Sequence, residues 1–113
     1  MPKILLIYQT ESGKTPFKEW LHSVRDRIFV ARINARLARI EQGNFGDTKS
    51  VGQQVMELRL SFGSGFRIYF GLDGETLVVL LAGGDKASQS RDIELAHEYW
   101  KDYVRRTDRE KNK

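Results

Sequence analysis

The stretch Val55–Gln89, VMELRLSFGSGFRIYFGLDGETLVVLLAGGDKASQ, decides the fold. It reads as three consecutive strands joined by two tight turns and followed by a short polar loop. Gly63-Ser64-Gly65 supplies the positive φ angles of a short hairpin, and Asp73-Gly74 is a two-residue hairpin signal. Met56, Leu58, Leu60 and Phe62 fall on one face of the first strand, and Phe66, Ile68 and Phe70 on one face of the second. Glu57, Arg59, Arg67 and Tyr69 fall on the opposite face. A period of two thus predicts a sheet with one oily side and one side of charge and phenol, open to solvent. The third strand, Leu77–Leu81, is apolar without alternation and is expected to be buried on both faces.

Outward from this stretch the chain alternates strand and helix. Lys3–Thr10, KILLIYQT, reads as an opening strand. Thr15-Pro16 places an N-cap before a proline at the first helical position. Phe17, Trp20, Leu21, Val24 and Ile28 then follow at helical spacing. A second helix is expected from about Ile28 to Gln42, ending at Gly43-Asn44 in a left-handed cap. The join near Asp26 has no Gly or Pro, so two helices and one bent helix both fit. Residues 44–54 read as a polar loop, and Gly83-Gly84 as a sharp turn that presents Lys86 at the sheet's end. Ser88 or Ser90 caps a last helix whose inner face is Ile93, Ala96, Trp100, Tyr103 and Val104. The expected fold is α+β: an N-terminal strand plus a three-stranded meander, an N-terminal helical hairpin and a C-terminal helix. Residues 1–106 form a single domain in this reading, and 107–113 a flexible basic tail.

Composition narrows the function. The 113 residues carry 19 Lys plus Arg against 15 Asp plus Glu, a surplus of four that leans toward anionic partners. With no cysteine, disulfides, thiolate metal sites and cysteine nucleophiles are excluded, and two histidines are too few for a histidine-built metal site. No metal or cofactor is expected. No apolar run approaches membrane-spanning length and no signal-peptide pattern opens the chain, so a cytoplasmic location is expected. Arg25, Arg32, Arg36 and Arg39 stay within about 60° of one another on a helical wheel. Such a stripe is either a solvated helix face or a surface that tracks phosphates or docks an acidic partner peptide, and the sequence weighs the two evenly. His22 and His97 read as surface or helix-packing residues.

The order of elements, and the segments ELRLSFGSGFRIYF and VVLLAGGDKASQSRDIELAHEYW, resemble the RelE/ParE toxin superfamily and more closely its HigB-like addiction module killer branch. The resemblance implies the toxin of a type II toxin–antitoxin pair. RelE-like and HigB-like members cut mRNA in the ribosomal A site, whereas ParE-like members inhibit DNA gyrase. It also implies neutralisation by a cognate antitoxin, in HigB-like systems a helix-turn-helix protein of the HigA type. Metal-free RNA cleavage needs a base for the 2′-hydroxyl, cations at phosphorus and an acid for the departing 5′-oxygen. Arg59 and Arg67 are the candidate phosphate clamp, because guanidinium matches phosphate oxygens two at a time. Lys86 is the candidate for the phosphate or the leaving group. Glu57, the one carboxylate on that face, is the candidate base, or else it orients an arginine. Tyr69 and Gln89 are candidate RNA contacts, together with the arginine stripe. Cross-strand ion pairing is the plain alternative for Glu57, Arg59 and Arg67. Several ribosome-dependent relatives carry a catalytic histidine or tyrosine near the C-terminus, where this chain has a helix. Two further readings stay open, a ParE-like gyrase inhibitor and an inactive toxin-derived binding module.

Overall fold

The computed structural model describes residues 2–111. The elements run β1 (Ile4–Ile7), α1 (Pro16–Ser23), α2 (Arg27–Glu41), β2 (Thr48–Ser50), β3 (Val55–Arg59), β4 (Arg67–Asp73), β5 (Leu77–Gly84) and α3 (Gln89–Lys111). The fold is α+β, with one mixed sheet ordered β1-β5-β4-β3-β2. The β1–β5 pair is parallel and the others antiparallel.

Two turns differ from the expected ones. The β3–β4 connection does use Gly63 and Gly65 at φ +67° and +79°. However, β3 ends at Arg59, because Leu60 turns back to bond Phe66 and the loop packs Phe62 and Phe66 against Phe29. Asp73 pairs with Leu77, so the second turn has three residues, with Gly74 at φ +70°. Asp26 settles the helical join. Its carboxylate accepts from the N–H groups of Ile28 and Phe29, so a capped second helix begins there. The loop 44–54 contains β2, an edge strand whose sequence Thr-Lys-Ser has no apolar alternation to announce it.

The two helical layers lie on opposite faces of the sheet. α1 and α2 cover the oily face, where Phe17, Ile33, Leu37 and Ile40 meet Leu58, Ile68, Phe70, Val78 and Leu80. The other face is not open, as the alternation suggested. α3 lies across it, packing Ala96 and Trp100 against Val55, Tyr69, Val79 and Leu81. Gly71 makes this possible, since any Cβ there would collide with the Trp100 indole. Gly84 serves the same end, and Gly83 makes room for α1 on the opposite face. Both are strand residues, not a turn, and side chains there would strike Trp20 and Asp92. α3 continues to Lys111, with Thr107 Oγ1 bonding the Tyr103 carbonyl. Residues 107–111, expected as tail, are therefore helical, and 112–113 lie outside the described residues. Among the described residues no helix is long and apolar enough to cross a membrane.

Candidate functional site

The strand period places Glu57 opposite Tyr69 and Arg59 opposite Arg67, all on the face that α3 covers. The N-terminus of α3 ends over this group. Glu57 is fully buried and collects donors from every side. Its Oε2 accepts from Gln89 Nε2 at 2.9 Å and from the Tyr69 hydroxyl at 3.1 Å. Its Oε1 accepts from Arg59 Nε at 3.3 Å. Arg67 Nε lies 3.6 Å from Oε2, and Lys49 Nζ, from the unforeseen β2, 4.0 Å from Oε1.

Burial by itself would raise the Glu57 pKa. The hydrogen bonds from Gln89, Tyr69 and Arg59, with the charge of Arg67, outweigh it and hold the carboxyl below its ordinary value. Glu57 is thus ionised at neutral pH with both oxygens occupied. That arrangement supports the orienting role for Glu57 over that of a general base. A lowered native pKa contributes stability that is present above the unfolded carboxylate value, about 4.3, and lost as pH falls through the native one. In urea unfolding, the stability advantage of wild type over Glu57→Gln is expected to be full near pH 6. It should shrink steadily below about pH 4.

Tyr69 is fully buried, so its ring does not stack on a nucleobase as the sequence reading allowed. Burial first, then the neighbouring Glu57 charge and hydrogen bond, push its pKa far up, and it stays a phenol. Gln89 opens α3 as a donor to Glu57, with its side chain half-buried.

The cations remain available. Arg67 spends one terminal nitrogen on the Gly65 carbonyl at 2.8 Å, and its Nε is buried without a hydrogen-bond partner among the described residues. Its side chain is 12% exposed, and that of Arg59 43%. Gly65 sits between Arg67 and Lys86: a Cβ there would lie 3.3 Å from the Arg67 guanidinium and 3.2 Å from Lys86 Cβ. The Lys86 N–H donates to the Ser64 carbonyl, and Ser64 Oγ donates to Asp85, which ties the hairpin tip to the start of α3. Arg59, Arg67 and Lys86 are therefore brought to one end of the sheet, the two arginines held by one carboxylate beneath them. Such preorganised, charge-retaining donors suit an anion.

The arginine stripe is not brought there. α2 lies on the other face of the sheet, and Arg25 precedes it in the α1–α2 connection. Arg32 stands over the Phe62 ring at 5.3 Å, and Arg36 donates to the Phe45 carbonyl at 3.2 Å. Arg39 alone of the four is an uncommitted, exposed α2 side chain. His97 packs as read, its Nε2 2.9 Å from the Val51 carbonyl, and His22 lies in the last turn of α1. Lys49 was missed, because it sits in a strand with no periodic signal. Among the described residues no group of three or more His, Asp or Glu side chains is placed to hold a metal.

Fold and site together define an α+β protein with a cluster of cations built over a buried carboxylate. The chain belongs to the same family as a Haemophilus influenzae protein described only as uncharacterized. The two are 45% identical over 80 residues, which cover 71% of this chain and 81% of the relative. No family model and no solved structure matches the chain.

Proposed function

We propose that this protein is a HigB-like member of the RelE/ParE superfamily, a toxin that cuts mRNA on the ribosome and is held in check by a helix-turn-helix antitoxin. The observation that carries the reading is the convergence of Arg59, Arg67 and Lys86 at one sheet end, with donors left over after Glu57 is satisfied. In this mechanism the 2′-hydroxyl gives its proton to a solvent water as its oxygen attacks the adjacent phosphorus, and the 5′-oxygen departs. Arg59 and Arg67 stabilise the charge that builds on the non-bridging oxygens. Lys86, which flanks Gly65 across from Arg67, protonates the leaving oxygen. Glu57 keeps both guanidinium groups aimed without taking a proton. The proposed setting is the cytoplasm, with ribosome, mRNA and antitoxin as partners.

A second reading has its own support. Glu57 is saturated with donors and Tyr69 is sealed in the core, so the two side chains best placed to act as a base are both unavailable. That favours a protein that grips its target without chemistry, as a gyrase inhibitor or a binding module. Tightly controlled induction separates the two. New 5′ ends inside translated frames are expected for the ribonuclease. Intact messages with broken or relaxed plasmid DNA would transfer the assignment to gyrase.

A further inference from the structure

A cleft of about 470 Å³ opens on the flank of the sheet, next to the loop that carries Lys86. That volume falls within the range of small-ligand sites, roughly 300–1,000 Å³. Its floor is the end of β5. β1 stops where Ile7 pairs with Leu80, so Gly83 and Gly84 run on without a strand on that side. One wall is aromatic, formed by Trp20, Phe29 and Phe66, all half-buried. The opposite wall is polar and comes from the first turn of α3. Exposed Arg25 and Arg91 flank the cleft from its two sides.

The polar wall holds a carboxylate with room for more donors. Asp92 is 7% exposed, and its Oδ2 accepts from Ser88 Oγ. Its Oδ1 carries no hydrogen bond among the described residues. Asp85 next to it differs, because its oxygens are taken by Ser88 and Ser64. Asp92 also contrasts with Glu57. Burial raises its pKa, with Asp85 adding to the rise, and Ser88 and Arg91 offset this only in part, the mark of a carboxylate short of donors.

We propose that this cleft binds a guanine base of single-stranded RNA, its ring against the aromatic wall and its N1–H and N2–H groups on the Asp92 carboxylate. A carboxylate accepts two parallel N–H donors. Guanine presents two adjacent donors on its pairing edge, whereas adenine and cytosine each set one amino group beside an acceptor. Uracil places a single N–H between two carbonyls. The flat π-faces of a base match the aromatic wall, and Arg25 and Arg91 suit the phosphates on either side. The inference rests on the RNA reading above for the source of the base, and adds to it a pocket that selects one nucleotide.

The test titrates GMP, IMP, AMP, CMP and UMP into the full-length protein, following the Gly83 and Gly84 amides and the Trp20 indole by NMR. GMP is expected to bind roughly five- to a hundredfold tighter than AMP, CMP or UMP, the range one bidentate base contact supplies. IMP lacks the 2-amino group and should lose most of that advantage. Asp92→Asn should abolish the preference while leaving the remaining spectrum in place. Equal affinities, shifts confined to the Arg67 region, or an unchanged preference in the variant would overturn the proposal. The GMP–IMP comparison uses wild type alone, so it stands even if the variant folds poorly. Guanine preference without message cleavage would leave the cleft intact and remove the ribonuclease reading. Cleavage without guanine preference would do the reverse.

Discussion

Glu57→Ala is expected to lower folding stability by about 3–5 kcal/mol, the cost of removing one partner from a buried ionic group. The loss has three named parts. Arg67 keeps its charge in a site where its side chain is 12% exposed, with the opposing charge gone. The Tyr69 hydroxyl is left in the core without its acceptor, and Gln89 loses the bond that ties the start of α3 to the sheet. For a domain whose whole stability is about 5–15 kcal/mol, this is a large fraction. Thermal unfolding should show it as a drop of more than about 10 °C. Glu57→Gln keeps an acceptor for Tyr69 and Gln89 and should fall between the two. An alanine variant melting within a degree or two of wild type would mean that Glu57 does not organise this end of the sheet.

Arg67→Ala is expected to reduce RNA cleavage by about 10²–10³-fold, the usual effect of removing one preorganised donor from a developing oxyanion. Its effect on folding should be smaller, about 1–3 kcal/mol, because Glu57 keeps its bonds from Gln89, Tyr69 and Arg59. This asymmetry separates the two residues, one supporting and one acting. Arg67→Lys restores the charge but not the fork that reaches the Gly65 carbonyl and the bound phosphate together. It should recover only part of the activity. Cleavage by Arg67→Ala at the wild-type rate, with an unchanged melting temperature, would exclude Arg67 from the chemistry.

Much of the framework was legible because it rests on local rules. The alternation through Met56, Leu58, Ile68 and Phe70 placed the oily face correctly, and Gly63 and Gly65 marked the first hairpin. The unbroken apolar run of β5 announced burial on both sides, which its two helical layers provide. What local pattern could not show was where α3 would lie. Glu57, Arg59 and Arg67 read as a solvent face because charge on alternate strand positions ordinarily means solvent. Here the Glu57 charge is internally satisfied, which allows a helix to close over it. The signals were Gly71, which makes room for Trp100, and Gln89, which caps the carboxylate. Both lie far in sequence from the residues they serve. The arginine stripe does not form one surface with the cation cluster, for a related reason. A helical wheel fixes direction around one axis, but Arg25 is not on α2, and the face that α2 turns to the sheet is opposite the cation cluster. The two glycines after Ala82 looked like a turn because glycine is common in turns. Their role is space, for Trp20 on one side and Asp92 on the other.

The cation cluster stands or falls most directly on transcript mapping by primer extension, minutes after induction of wild type and of Arg67→Ala, with and without a block on translation. New 5′ ends inside translated frames are expected for wild type only, vanishing when translation is blocked. Intact messages in cells arrested by wild type, or the same cuts made by Arg67→Ala, would contradict that expectation.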